Sequence, residues 1–353
     1  MLAAKKTGLL PILNSKNGFH FTGYISNDHN VASVEKKLRR LIDETYEYLQ
    51  PVMETDRLSK FLEPIEALLQ NVSSLSEMQG NIGIFRNESS LRVICLPILV
   101  EDTFVVATSF HVKPLLKWLQ VERDFHLLTF DGTLAYLFKG DSNSFIQIST
   151  FQFGEGVEHD DGTRLLHWLR TYRGSTAPDL FVMGSSDLLE ARLSKGGRRS
   201  LFADVVLSFD LPFSKASLEK TCVEIRSVFA QRAKADLQKS LIEFSIAEDQ
   251  SRIAKNIFQI SKAVARGEVR KLMVAADAKV FGKIDPKTGG LAINPYHLDH
   301  EDDDILDDLA QAVIAQGGEV IVAAEGEMPR ARIAMAILKS ELRIRTEDDM
   351  ENL

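Results

Sequence analysis

Cysteine is scarce in this sequence, and its scarcity excludes two classes of protein. Cys95 and Cys222 are the only cysteines among 353 residues. They cannot form a multi-disulfide scaffold, and they cannot supply the clustered thiolates of a structural zinc site. Cys222 also falls on the apolar face of a predicted helix, so we interpret it as a small core residue rather than a nucleophile.

Long apolar runs are missing as well. No segment has eighteen uncharged apolar residues in succession, and Pro11 interrupts the short apolar run near the amino terminus. The sequence therefore predicts a cytoplasmic protein that does not associate with membranes.

The signatures of several enzyme classes are absent too. The sequence contains no Walker loop and no dinucleotide-binding fingerprint. The order of its Ser, His and Asp residues identifies no catalytic triad. We therefore predict no cofactor and no catalytic residue.

Charge is unevenly distributed along the chain. The net charge of −8 argues against a protein whose whole surface binds nucleic acid, and DNA binding is not predicted. Residues 301–353 contain fourteen acidic and five basic side chains, whereas residues 189–234 contain nine basic and five acidic ones. The basic segment permits local contact with RNA, but a solvated helix face explains it equally well.

The pattern of elements predicts a multidomain α/β protein, because 353 residues exceed one ordinary core. Residues 1–120 form the first domain, with a helical first half and then three short strands: Asn81–Phe85, Leu91–Leu96 and Thr103–Thr108. Residues 121–265 form a mixed α/β middle domain. It begins with a hairpin around Asp131-Gly132 and ends with a long helical pattern.

Residues 266–345 predict a compact α/β sandwich, followed by an acidic tail over residues 346–353. Strand Lys271–Ala275 precedes a helix over Asp302–Gln316, whose acidic first turn suits the positive end of a helix dipole. Gly317 is the predicted left-handed helix terminator, and strand Glu319–Ala324 follows directly. A last apolar strand is predicted at Ile333–Leu338.

Several stretches resemble the archaeo-eukaryotic release factor and Pelota superfamily, with most likeness to its bacterial branch. They are "ARGEVRKLMVAADAKVFGKID", "DDDILDDLAQAVIAQGGEVIVAAEGEMP" and "AMAIL" in the last domain, and "SFHVKPLLKWL", "DFHLLTFDGTLAYLFKGD" and "DLFVMGSSDLLEARLS" upstream. The resemblance implies an L7Ae/L30e-like fold for the last domain. It also implies a role in translation.

Release factors of this superfamily carry a Gly-Gly-Gln loop in the middle domain, which helps to place the water that hydrolyses peptidyl-tRNA. Here Gly196-Gly197 is followed by Arg198, and the pair comes after the strand and helix at residues 179–193, too late for that loop. We therefore predict that this chain does not hydrolyse peptidyl-tRNA.

Two places are candidates for RNA contact. Lys195, Gly196, Gly197, Arg198 and Arg199 could form a loop that binds phosphate, since glycines expose backbone N–H groups and arginines fork onto phosphate oxygens. Lys113, in "FHVKPLLKWL", is the second candidate. A helix that covers a seam between domains explains Lys113 equally well.

Two histidine clusters were weighed as metal sites. One comprises His297 and His300 beside Asp299, and the other comprises His159-Asp160-Asp161 with His167. One flexible loop does not guarantee the geometry that an imidazole site needs, so solvated loops are the preferred interpretation. No metal site is predicted.

The favoured function is a non-hydrolytic translation factor that binds the ribosome or tRNA-like RNA during stalled or hibernating translation. A translational GTPase is an implied partner. Two alternatives stay open: a hydrolase or nuclease with a carboxylate and histidine site in the middle domain, and a protein-interaction adaptor without RNA contact.

Overall fold

In a computed structural model, the chain forms two compact units: Met1–Gln120 together with Ala235–Leu353, and Val121–Lys234. The structure describes residues 18–340, apart from residues 79, 97–99, 122–123, 142–144, 155–160, 174–177, 188–189, 191–192, 194, 204 and 295–302. The predicted acidic tail, residues 346–353, therefore lies outside the described residues.

The first unit begins with a four-stranded antiparallel sheet and three helices. The strands are β1 (His20–Ile25), β2 (Asn81–Asn87), β3 (Leu91–Leu96) and β4 (Thr103–Ala107), in the order β3-β2-β1-β4. The helices α1 (Val31–Leu49), α2 (Thr55–Glu66) and α3 (Val72–Ser76) pack on it. Helix α1 forms because apolar residues recur at helical spacing and because Asn30 caps its first turn, accepting from the Ser33 N–H at 3.1 Å. Helix α4 (Lys113–Val121) follows β4.

The second unit contains a five-stranded mixed sheet. Its strands are β5 (Phe125–Phe130), β6 (Leu134–Gly140), β7 (Phe145–Gln152), β8 (Asp179–Met183) and β9 (Val205–Phe209), in the order β7-β6-β5-β8-β9. Helices α5 (Asp161–Arg173) and α6 (Lys195–Phe202) pack with one core, and the first part of α7 (Lys215–Asp249) packs with another. Strands β5, β8 and β9 run parallel, so each connection crosses over the sheet. Cys222 lies in the second core, as predicted, and burial raises the pKa of its thiol to about 11.

The carboxyl-terminal part of the first unit contains a second four-stranded sheet. Its strands are β10 (Ile253–Ala254), β11 (Val269–Ala275), β15 (Glu319–Ala323) and β16 (Ala334–Leu338), in the order β10-β16-β11-β15. A small antiparallel sheet lies beside it, formed by β12 (Phe281–Ile284), β13 (Leu291–Asn294) and β14 (Asp303–Asp304). Helix α8 (Ile257–Ala265) precedes β11, and α9 (Ile305–Ala315) connects the parallel strands β11 and β15. Short 3-10 turns occur at Ala67–Asn71, Glu325–Glu327 and Pro329–Ala331.

One apolar core joins the two chain segments of the first unit. Tyr24, Phe85 and Leu116 from the amino-terminal segment are buried in the same cluster as Leu272 and Leu309 from the carboxyl-terminal segment. The proposed boundaries between domains, at residues 120, 265 and 345, stay predictions.

The structure confirms the predicted α/β, multi-sheet fold class. Helix α9 ends before Gly317, whose φ is +78°, and β15 begins at Glu319, so the double glycine is a helix terminator as predicted. Strands β15 and β16 share a sheet, with β11 between them. The prediction of a loop at Gly196-Gly197 is wrong, because these residues lie in α6. Among the described residues, no helix is long and apolar enough to cross a membrane.

The two glycines after α9 should respond differently to substitution. Gly317 needs a left-handed backbone but has open space where a Cβ would be, whereas a Cβ on Gly318 would lie 2.6 Å from Val313 Cγ1 and 3.1 Å from the Val313 carbonyl oxygen. We expect Gly317→Ala to lower the free energy of unfolding by about 1 kcal/mol and Gly317→Asn to cost less, since Asn tolerates this conformation. Gly318→Ala should cost more than Gly317→Ala, because the backbone oxygen cannot move aside as a side chain can.

Chemical denaturation of the three variants measures these differences. Gly326→Ala is the control, because nothing lies within 4 Å of its added Cβ. Equal stability of Gly317→Ala and Gly317→Asn would contradict the conformational explanation.

Candidate functional site

A charged seam inside the first unit brings together residues that are far apart in sequence. The segment 108–113, between β4 and α4, lies against the start of α9. We call the set formed by Thr108, Ser109, His111, Lys113, Asp303, Asp304, Asp307 and Asp308 the carboxylate seam. Every member of this set forms a hydrogen bond or ion pair across it.

Asp307 is the best-connected member of the carboxylate seam. Its Oδ1 accepts hydrogen bonds from the backbone N–H groups of Val112, at 3.0 Å, and Lys113, at 2.9 Å. These N–H groups belong to the amino-terminal end of α4, where helical partners are missing and negative charge is favourable. The other carboxylate oxygen pairs with His111 Nδ1. One side chain of α9 therefore caps a different helix.

Lys113 is enclosed in the same seam. Its side chain is 1% exposed, and its ammonium donates to Asp304 Oδ2 at 2.5 Å and to the Ala278 carbonyl oxygen at 2.5 Å. Asp304 also caps α9, since its Oδ1 accepts from the Leu306 N–H at 3.1 Å. The structure does not present Lys113 for contact with RNA, because its ammonium is buried and paired and is therefore not available to a phosphate. The alternative interpretation, a helix that covers a seam, fits its position.

The outer end of the carboxylate seam is held by hydroxyl and amide groups. Asp303 accepts from the Thr108 N–H at 2.9 Å and from the Thr108 hydroxyl, and Asp308 accepts from the Ser109 hydroxyl at 2.7 Å. Gln311 Nε2 donates to the Phe110 carbonyl oxygen at 2.9 Å. Most of these polar groups are thus satisfied by α9 and the residues before it, whereas the backbone of His111 donates to Thr22 and accepts from Tyr24, both in β1.

The pKa values of Asp304, Asp307 and Asp308 are shifted in different directions because their surroundings differ. Burial raises the pKa of Asp308 well above its ordinary value, and repulsion from Asp303 adds to the effect. Burial and repulsion from Asp307 likewise raise the pKa of Asp304, against the attraction of Lys113. Burial alone would raise the pKa of Asp307, but the interaction with His111 and the backbone hydrogen bonds lower that pKa below its ordinary value. Of these three, Asp307 is the carboxylate whose surroundings favour the ionised form.

The seam encloses a cavity of about 40 Å³ whose lining includes His111, Asp304 and Asp307. Ligand atoms of these three residues lie within 4.8 Å of one another, a spacing that suits a metal ion. However, the Lys113 ammonium and several N–H groups already occupy the carboxylate oxygens. The arrangement acts as an internally compensated ionic network that fastens one segment to another.

The residues predicted to bind RNA at 195–199 lie on α6 of the second unit. Arg198 forms an ion pair with Glu190 at 2.5 Å, and Arg199 is exposed in the last turn. The expected phosphate loop is instead the first turn of α6, whose N–H groups have no partners within the helix. The side chains of Arg198 and Arg199 remain candidates for RNA contact, whereas Lys113 belongs to the other unit.

Most residues of the two histidine clusters that were weighed as metal sites lie outside the described residues. They are His159, Asp160, His297, Asp299 and His300. Asp161 is buried at the start of α5 and pairs with Arg164, whereas His167 is exposed farther along that helix. Burial, reinforced by the charge of Arg173, lowers the pKa of His126 in β5 to about 4. Among the described residues of the second unit, histidines and carboxylates therefore do not converge as a metal site would require.

No protein-family model and no curated protein matches this chain. Solved structures do. Archaeoglobus fulgidus Pelota is 10% identical, with 74% of this chain and 80% of that one covered, at a TM-score of 0.37. Saccharomyces cerevisiae Dom34, a translation termination-like factor involved in RNA quality control pathways and interacting with Hbs1, is 12% identical over 74% of each chain, at 0.39.

A third similar structure is ribosome-bound archaeal Pelota with ABCE1. It is 10% identical, with 97% of this chain and 95% of that chain covered, at a TM-score of 0.44. These values describe what the chain is similar to and do not assign it to a family.

Two neighbouring carboxylates of the seam should respond in opposite directions to neutralisation. Asp307→Asn should lower the free energy of unfolding by about 3 kcal/mol, because it removes the buried negative charge and replaces the oxygen that pairs with His111 by an amide NH₂ group. Asp308→Asn should raise the free energy of unfolding at pH 8 by an amount on the order of 1 kcal/mol, because a neutral amide avoids the cost of burying an ionised carboxylate.

The pH dependence of the free energy of unfolding tests the same assignment. Because folding raises the pKa of Asp308, the folded state binds more protons, and stability falls as pH rises above the ordinary value of 3.8. Asp308→Asn should flatten that fall in urea titrations between pH 5 and 8. Asp43→Asn, at an exposed position of α1, is the control and should change stability by less than about 0.5 kcal/mol. Destabilisation by Asp308→Asn at pH 8 would refute the assignment.

Proposed function

We propose that this protein is a translation-associated factor that binds the ribosome or tRNA-like RNA and acts on stalled or hibernating ribosomes without hydrolysing peptidyl-tRNA. The observation that carries the proposal is the order of elements from Val269 to Leu338. An acid-capped helix, a double-glycine terminator and a parallel strand follow one another there, as the resembling sequence stretches require. The proposal rests on that resemblance, since a fold by itself hosts many functions.

Chemistry as well as sequence supports the proposed lack of hydrolysis. A hydrolytic loop needs a flexible backbone and a neutral amide that can place a water molecule. Gly196 and Gly197 lie instead in α6, and Arg198 is held by Glu190. A guanidinium donates hydrogen bonds but cannot accept one from water, so it cannot replace the glutamine amide.

The proposed mode of action is therefore occupation rather than catalysis. The second unit would reach a functional centre of the ribosome without hydrolysing peptidyl-tRNA there, while the first unit docks through its sheets and helices. A translational GTPase is the second proposed partner, as the sequence resemblance implies. The seam makes the first and last segments a single docking body, because their polar groups and apolar core are shared.

Peptide release tests the negative half of the proposal. We expect no stop-codon-dependent release of peptide from peptidyl-tRNA on ribosomes. Arg198→Gln, which restores the Gly-Gly-Gln sequence, should also be inactive, because the residues lie in a helix. A genuine release factor assayed in parallel is the positive control. Release by the wild-type protein at a comparable rate would disprove this part of the proposal.

Cosedimentation with purified ribosomes tests the positive half. The wild-type protein should sediment with ribosomes at low salt and dissociate as salt rises, because phosphate contacts release counterions. If Lys195, Arg198 and Arg199 contact phosphate, changing all three to alanine should reduce the logarithmic salt slope by roughly one per lost contact. The matched control changes Lys36, Arg39 and Arg40, which are exposed on α1, to alanine. Sedimentation that is unaffected by the first set would place the contact elsewhere.

A further inference from the structure

A second cationic site lies at the carboxyl end of α7, in the first unit. Three basic side chains from two segments, Lys255 from one and Arg330 with Arg332 from the other, converge on one carboxylate oxygen, Glu248 Oε1. Lys255 Nζ lies 2.5 Å from it, Arg330 Nη1 lies 3.3 Å from it, and Arg332 Nη2 lies 3.7 Å from it. We call Glu248, Lys255, Arg330 and Arg332 the Glu248 cluster.

The basic side chains of the Glu248 cluster carry more positive charge than Glu248 neutralises. Among the described residues, Glu248 is the one carboxylate paired with these three cations, so two positive charges are left over. The attraction of the cations, led by the Lys255 hydrogen bond, lowers the pKa of Glu248, which keeps that carboxylate ionised at neutral pH. This local excess stands out in a protein whose net charge is −8. An excess of this kind attracts anions.

Two cations of the Glu248 cluster have donors that face solvent. The Arg330 side chain is 72% exposed and the Lys255 side chain 43% exposed, so most of their N–H groups can still bind a ligand. A guanidinium has five N–H donors and an ammonium three, and each spends few of them on Glu248. Arg332 is more buried, and its Nη1 has no hydrogen-bond partner among the described residues.

The backbone fixes Arg330 in an unusual conformation. Its φ is +56° and its ψ is +36°, in the left-handed region, within the short turn Pro329–Ala331. A side chain with a Cβ enters this region at an energetic cost, and such outliers concentrate where a residue must be held in one direction. The turn places the Arg330 guanidinium beside Glu248, across from Lys255.

We propose that the Glu248 cluster binds the phosphate backbone of RNA, as a contact separate from α6. This inference rests on the proposed function for its choice of RNA over other polyanions. Convergent guanidinium and ammonium groups match the compact, multiply charged oxygens of phosphate, which accept forked hydrogen bonds from arginine. Glu248 then acts as a spacer that holds the cations together when no ligand is bound.

Fluorescence anisotropy with a short labelled single-stranded RNA tests the site. Lys255→Gln with Arg330→Gln should weaken binding about tenfold and reduce the logarithmic salt slope by roughly two. Arg39→Gln with Arg40→Gln, an equal change of charge on α1 at paired and exposed arginines, should leave both values unchanged. Glu248→Gln should bind the RNA more tightly than the wild type, because it removes the competing carboxylate.

Several outcomes would overturn the inference: unchanged RNA affinity and slope in Lys255→Gln with Arg330→Gln, equal losses in the α1 control, or weaker binding by Glu248→Gln. Preferential, cluster-dependent binding of polyglutamate over RNA would also overturn it, in favour of an acidic protein partner. Thermal melts of each variant check that the fold is intact. Ribosome cosedimentation of the wild type is measured separately. If that fails while RNA binding depends on the cluster, the proposed function is wrong and the inference stands.

Discussion

The hydrogen bonds from Asp307 to the first N–H groups of α4 are the constraint on which the first unit depends. The carboxylate belongs to α9, and the N–H groups belong to Val112 and Lys113, 195 and 194 residues away in the sequence. An ionised group buried this deeply is stable only when both oxygens have hydrogen-bond or ionic partners, and Asp307 meets that condition through two N–H groups and His111. The helix cap of α4, the ion pair with His111 and the tertiary contact between the two chain segments are therefore all made by one side chain.

The rest of the carboxylate seam follows from this constraint. Once Asp307 fixes the start of α4, Lys113 is directed inward to Asp304, and Thr108 and Ser109 meet Asp303 and Asp308. The apolar side chains of α4 then complete a core that both chain segments share. The basic groups that we propose for an anionic partner lie elsewhere, on α6 and in the Glu248 cluster. The burial of a basic side chain, more than the local composition of the sequence, decides whether it has a structural role or can contact an anionic partner.

The sequence predicted elements whose signals are local. Apolar periodicity identified α1, and an acidic first turn with a glycine terminator identified α9. It did not identify β1, because all six residues of that strand are buried and the alternation that marks a half-buried strand is absent. It did not identify the partner of Asp307, because no spacing rule links residues this far apart. The acidic run was interpreted through the helix dipole alone, and Lys113 was left with two interpretations, RNA contact or a helix that covers a seam between domains.

Hydrogen exchange measured by mass spectrometry tests most directly whether Asp307 joins the two segments. Compared with the wild type, Asp307→Ala, which removes both side-chain oxygens, should lose protection in peptides covering residues 108–121 and 303–315 together. Peptides covering residues 161–173 in the second unit should keep theirs, because stability differs between cooperative parts of a structure. Unchanged protection at residues 108–121 would contradict the account, since α4 would then be held without its carboxylate cap.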